Sequence, residues 1–269
     1  MFFRKLAAFI KKDFLIQISY RFSFMLNCMG LFIWVAIFYF IARMIGKGMN
    51  PYLKEYNADY FSFVLIGLAF YGYFFIALKA FSTSIREEQM MGTLEAIFLT
   101  PTKTAAVIIG MSFSDFIFTS SNAFICLFLG VFFLGVKLTG VNLGAIFVIL
   151  ALTVVFSSSI GIISAAFIML FKRGDPITWL ISLFSGFFGG VYFPISILPN
   201  KLQFISQLLP ITYALSALRH ALLQGYSLKM LSSDIVILLF FTLVLFPLSI
   251  FIFKYAVERV KTEGSLAHY

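Results

Sequence analysis

Along this chain, long blocks almost free of polar positions alternate with short stretches in which charge, proline and glycine gather. A hydrocarbon core about 30 Å thick takes about 20 helical residues. Six blocks meet that length, at 22–45, 59–83, 105–135, 143–171, 176–194 and 233–256. They are continuously apolar and lack the two-residue alternation of barrel strands, so each satisfies its own backbone as a helix rather than in a closed sheet. The pattern predicts an all-α membrane protein of six transmembrane helices, forming a single domain over 1–269.

Two stretches follow a different pattern. In residues 1–21, Arg4, Lys5, Lys11, Lys12 and Ser19 share a sector of roughly 120° at helical period. Phe2, Phe3, Leu6, Phe9, Ile10, Phe14 and Ile16 cover the rest, with Asp13 the exception. This predicts an N-terminal amphipathic helix in the inner headgroup layer, its lysines towards anionic membrane lipids. The second is 195–231, preceded by Phe193 and Pro194, where Pro199, Pro210, Arg219 and Gly225 leave apolar pieces of about fifteen residues or fewer, each too short to cross alone. Short re-entrant or interfacial helices between spans five and six are expected, under cover of protein or a wet cavity.

Composition supports the membrane reading. The chain is 61% hydrophobic and 12% charged, with mean hydropathy +1.01, against roughly 25% charged in soluble domains. The net charge of +9 marks loops held on the cytoplasmic side rather than a nucleic-acid partner. With an even number of spans and both termini inside, thirteen of the 20 basic residues fall on the inner face and seven on the outer. That bias predicts a multi-pass protein of the inner (cytoplasmic) membrane with both termini cytoplasmic. Cys28 and Cys126 lie inside apolar blocks, where packing rather than a disulfide is expected. The first twenty residues lack a small-residue cleavage site, so no removed signal peptide is expected.

Catalytic constellations are not found in the sequence. It has no G-x-x-x-x-G-K-[ST] loop, no G-x-S-x-G elbow, no H-E-x-x-H and no C-x-x-C, and two histidines, His220 and His268, are little from which to build a metal site. No active site, metal or bound cofactor is assigned. Asp115 is the one acidic residue well inside an apolar block and a candidate for lining a path. Its block exceeds what a membrane needs, however, which favours a place near the inner interface beside Ser112 or Ser114. Proton-driven carriers use relays of several buried ionisable groups. Small residues at 157–164 and 185–190, with Gly186 and Gly190 in G-x-x-x-G spacing, permit close helix contact.

The remaining concentration of charge is "EEQMMGTLEAIFLTP", residues 87–101, which holds three of the eleven acidic residues. It belongs to the longest inner connection, 84–103. At helical spacing Met91, Leu94 and Phe98 share one side, with Glu88 and Glu95 along its edge. A short surface helix offering a charged edge and a solvated loop both accommodate this.

The run "IREEQMMGTLEAIFLTP" resembles the cytoplasmic signature of permease subunits of type-2 ABC exporters. "GGVYFPISILPNKLQFISQLLPITYALSALRHALLQG" is similar to the outer segment of that family, and "YAVERVKTEGSLAHY" to its basic tail. The resemblance implies half of a translocation pathway, completed by a second permease copy or a relative, above two nucleotide-binding ATPase subunits that hold ATP and Mg2+. It implies an ATPase-coupling role for Arg86, Glu87, Glu88, Gly92, Thr93, Leu94 and Glu95, and a connecting helix at 1–21. It further implies an outer gate containing Phe193, Pro194, Pro199, Pro210, Tyr213 and Arg219. The cargo expected from it is amphipathic: a lipid-linked glycan, a drug or a peptide. An ATPase-independent secondary transporter or channel is the alternative, and Asp115 is its one candidate group.

Overall fold

A computed structural model describes residues 21–90, 92, 119–138, 140–171 and 175–262. Every regular element among them is helical. Among the described residues four helices are long and apolar enough to cross a membrane, within α1 (Arg21–Ile45), α2 (Tyr60–Met90), α4 (Leu143–Phe171) and α8 (Ser232–Thr262). α3 is described over Thr119–Phe133, and shorter helices are α5 (Pro176–Phe188), α6 (Asn200–Leu208) and α7 (Pro210–Arg219).

α2 is the hub. Two-thirds of its apolar window is buried (67%), against 6% for α1 and 11% for α8. Its most extensive packing is on α4, and α4 in turn packs on α8. Small residues make the first contact possible. At Gly161 of α4 an added methyl would stand 2.5 Å from the Leu78 carbonyl oxygen and 3.1 Å from that of Ala77. Buried Ser157, Ser159 and Ser164 flank this point. The stretch 157–164 thus brings two backbones together within one chain, as small residues do where lipid gives no hydrophobic drive to association. α3 meets the other side of α2 through Gly130, which faces the Leu65 side chain. The outward surfaces of α1 and α8 carry exposed Phe32, Trp34, Phe40, Phe240, Leu243 and Phe251. In water such a surface would aggregate; in lipid it is the expected solvent-facing side.

Helix ends follow local chemistry. Asp59 precedes α2 and its carboxylate accepts the Ser62 hydroxyl. Asn142 caps α4, its Oδ1 accepting from the Ala145 amide at 3.1 Å, as expected of an N-cap asparagine. Pro210 stands in the first turn of α7, where its missing N–H costs nothing. Residues 46–59, 134–138 and 140–142 and the segment 189–231 gather at one end of the bundle, tied by the Asn142 amide to the Ala221 carbonyl (3.1 Å) and by Gln224 Nε2 to the Glu55 carbonyl (2.7 Å). Ile85, Ala165, Ile168, Met169 and Val260 cluster at the other.

Three boundaries differ from the hydropathy reading. The fifth block predicts helix to 194, but α5 stops at Phe188, where Gly189 and Gly190 (φ +74°) turn the chain. Thirteen residues make about 20 Å of helix, short of a hydrocarbon core. The second block extends to Met90, so Arg86, Glu87 and Glu88 stand on the last turns of α2 and do not open a separate connection. In the third block, α3 closes with a π turn at Leu129–Phe133 before Gly135 (φ +75°). The expected helix at 1–21 lies outside the described residues except for Arg21.

Candidate functional site

Two cavities mark the two ends of the bundle. The larger, about 600 Å³, opens between α2 and α5 near the Ile85–Val260 cluster. α2 lines it with Phe75, Lys79, Ser82, Thr83, Arg86, Glu87 and Met90, and α5 with Thr178, Trp179 and Ser182, with Asp175 before it. The spacing of 79, 82, 83, 86 and 90 puts these α2 residues on one helical face. The walls are mixed in character: the Lys79 ammonium lies 4.4 Å from the centre of the Phe75 ring, and Trp179 is 63% exposed.

Asp175 shapes this cavity by starting α5. Its carboxylate accepts the Thr178 amide at 2.9 Å and the Ser164 hydroxyl of α4. Burial alone would raise its pKa, but the hydroxyls of Ser164 and Ser82 and the Thr178 amide outweigh that and hold it below the usual carboxylate value. A carboxyl with a lowered folded pKa adds stability that is full above its unfolded pKa, about 3.9, and is lost as pH falls through the folded value. Asp175→Ala is therefore expected to cost about 1 kcal/mol, seen as a lower thermal midpoint in detergent. The gap from wild type should hold from pH 8 down to about 4 and narrow below that. A gap independent of pH down to about 3 would remove the charged cap from the account.

The smaller cavity, about 230 Å³, lies at the opposite end. Tyr52, Glu55, Tyr56, Phe63, Pro194, Tyr213, Ser216, Arg219 and Asp234 are among its lining residues. Arg219 is 2% exposed. Its Nε donates to the Phe63 carbonyl (3.2 Å), and its Nη2 to the carbonyls of Gly190 (2.8 Å) and Val191 (3.3 Å). The guanidinium carbon sits 3.4 Å from the centre of the Phe63 ring. Beside it His220 stacks between Tyr56 and Tyr226, 4.9 Å from each ring centre, with Nε2 3.9 Å from the Glu55 carboxylate. Burial, then the Arg219 charge, pushes the His220 pKa down.

The residues expected at a coupling site divide as follows. Arg86 and Glu87 are exposed and reach the large cavity; Glu88 is on the same helical turn. Gly92 follows α2 with φ +69°, and its amide donates to the Gln89 carbonyl at 3.1 Å, the left-handed stop that glycine permits. Thr93, Leu94, Glu95 and Asp115 lie outside the described residues. Of the outer set, Pro194, Tyr213 and Arg219 meet at the small cavity. Phe193 packs edge-on against Phe187, 6.0 Å between ring centres. Pro199 precedes α6, and the Thr212 hydroxyl joins α7 back to the Ser206 carbonyl at 2.8 Å. The Tyr213 hydroxyl donates to the Gln207 carbonyl at 2.9 Å.

Sequence reasoning missed Lys79, Trp179 and Asp175, which line the large cavity. The pair Asp175-Pro176 carried a usable signal, a capping side chain before a proline in the first turn. Gly186, singled out for its spacing, faces Tyr71 of α2 within the chain, and Gly190 lies beyond the helix.

A profile of the family described as ABC-2 type transporter matches residues 4–223. No curated protein matches the chain.

Proposed function

The chain belongs to the ABC-2 type transporter family, and from that premise we propose that it is the membrane-spanning half of an ATP-driven exporter. Members of this family are membrane transport components that work with ATP-binding subunits. The multi-pass helical chain accordingly acts as a gate, and ATP with Mg2+ belongs to a separate ATPase. The family match over residues 4–223 carries this reading.

Geometry supports the assignment of roles. α2 lines the large cavity along one face and ends in Arg86 and Glu87, both exposed, so an ATPase docked there would touch the helix that forms the cavity wall. Complementary charge at such a contact fixes orientation more than it raises affinity. With the thirteen-to-seven distribution of basic residues, that end faces the cytoplasm and both termini lie inside, in an inner membrane. The six-span count is retained, with α5 and the turn after it as an incomplete fifth crossing and 195–231 as the outer re-entrant segment. Residues 84–103 serve coupling and 1–21 lie at the headgroup layer.

The cavity walls, part aromatic and part cationic, favour amphipathic cargo. The exposed Trp179, Leu180, Leu183, Phe184 and Phe187 of α5 give the open side an apolar rim that a second permease copy would cover. The test is to co-express the chain with an ATPase bearing a G-x-x-x-x-G-K-[ST] loop from the same genome, purify both in nanodiscs, and measure hydrolysis. A stable complex with permease-stimulated hydrolysis is expected. Uphill cargo movement by the chain alone would instead support a secondary transporter.

A further inference from the structure

α2 is a continuous rod of 31 residues without a proline, about 45 Å long at 1.5 Å per residue. Arg86 and Glu87 stand near one end, and Phe63 and Gly67 near the other. At that second end three separate elements converge on one cation. Arg219, the last residue of α7, reaches across to the Phe63 carbonyl of α2 and to the carbonyls of Gly190 and Val191 in the turn after α5. Its plane rests on the Phe63 ring.

The fit depends on Gly67. A methyl group there would stand 2.8 Å from Arg219 Nη2 and would collide with the Val191 carbonyl oxygen. The chain therefore keeps a buried glycine inside its hub helix, two turns from the start of α2, where alanine is the better helix former. Tyr56 adds to the union: its ring lies 5.9 Å from the guanidinium carbon, and its hydroxyl donates to Ser216 Oγ of α7 at 3.5 Å. Pulling these elements apart would strip a buried charge of its acceptors, which is far costlier than moving them together.

We propose that Arg219 is a positioning residue that fastens the outer segment to the far end of α2, so that a displacement imposed on α2 at Arg86 and Glu87 travels along the rod and carries the outer segment with it. This rests on the exporter reading, because it needs a partner acting on the inner end. The outer segment is then not a loop that closes over a static helix. It moves as part of α2, and the outer mouth opens where this unit meets its neighbours.

Hydrogen exchange read by mass spectrometry on the full chain in nanodiscs, with the ATPase and with or without Mg-ATP, tests the assignment. In the wild type, amides of 211–219 should exchange slowly and change when nucleotide is added. In Arg219→Gln they should exchange at least roughly tenfold faster, as expected when a local opening is released, and lose the nucleotide response. Arg219→Lys, which keeps the charge but fewer fixed donors, should lie between, and Gly67→Ala should reproduce the effect from the α2 side. Unchanged exchange in both Arg219→Gln and Gly67→Ala would overturn the proposal. So would an equal rise across 143–171 and 232–262, lysine and glutamine variants that cannot be told apart, or a nucleotide response that survives in Arg219→Gln. If no complex with the ATPase forms, the exporter reading fails and the transmission with it. A complex that hydrolyses ATP while 211–219 of the wild type ignores nucleotide overturns the transmission alone.

Discussion

Replacing Gly161 by valine is expected to lower stability by about 3 kcal/mol, the upper end of what overpacking costs. The first added carbon alone would stand 2.5 Å from one main-chain oxygen of α2 and 3.1 Å from another. Neither atom belongs to a side chain that could rotate away, so the two backbones have to separate. That separation falls on one of the two most extensive helix contacts in the bundle, and in lipid close packing is itself the force that holds helices together. Gly144→Ala, at the exposed start of the same helix with only Asn142 Oδ1 nearby at 3.5 Å, should be close to neutral. Thermal midpoints and detergent-titration curves of the two purified variants check this contrast. Equal midpoints would mean that α2 and α4 do not touch at Gly161.

The second large effect concerns coupling. Glu87→Lys combined with Glu88→Lys should leave folded yield unchanged while reducing ATPase association and stimulated hydrolysis by at least about tenfold, since like charges brought together at an interface cost several kcal/mol. Folding should tolerate the change because Glu87 is exposed and because cations suit the last turns of a helix, where the backbone dipole is negative. The measurement is complex yield by size exclusion, with hydrolysis in nanodiscs. Full stimulation with an unaltered yield would remove Glu87 and Glu88 from the docking surface.

Much of the bundle could be read from hydropathy because a membrane imposes a length. The first, fourth and sixth blocks begin within one residue of α1, α4 and α8. The misplaced boundaries have local causes. Ser84, Ile85, Arg86, Glu87, Glu88 and Gln89 leave the apolar block but are acceptable helix residues, so charge ended the hydropathy signal without ending α2. Conversely, Val191, Tyr192 and Phe193 continue an apolar block past a helix that Gly189 and Gly190 have already ended.

The sites were less legible, for a physical reason. Arg219 was visible as a charge in an apolar segment, but its acceptors are main-chain oxygens as many as 156 positions away, and a carbonyl looks the same whichever residue carries it. Gly67 was equally silent, since nothing in "LIGLAF" says that an arginine will approach it. The cavity face of α2 could be traced by periodicity, but its opposite wall, Asp175 and Trp179, depends on tertiary placement of α5. What the sequence did carry was chemistry with a local grammar: the three prolines at 194, 199 and 210, which bound the short helical pieces of the outer segment.

The central place of α2 also bears on how the protein is made. Its main neighbour α4 ends roughly eighty residues further along the chain, which at ribosomal rates of about 5–20 residues per second is a delay of some 4–16 s. Throughout that interval the face of α2 around Ala77 and Leu78, which Gly161 of α4 will cover, meets lipid or whatever accompanies the nascent chain. A helix destined for the interior thus has to survive several seconds as an outsider before its main partner is made.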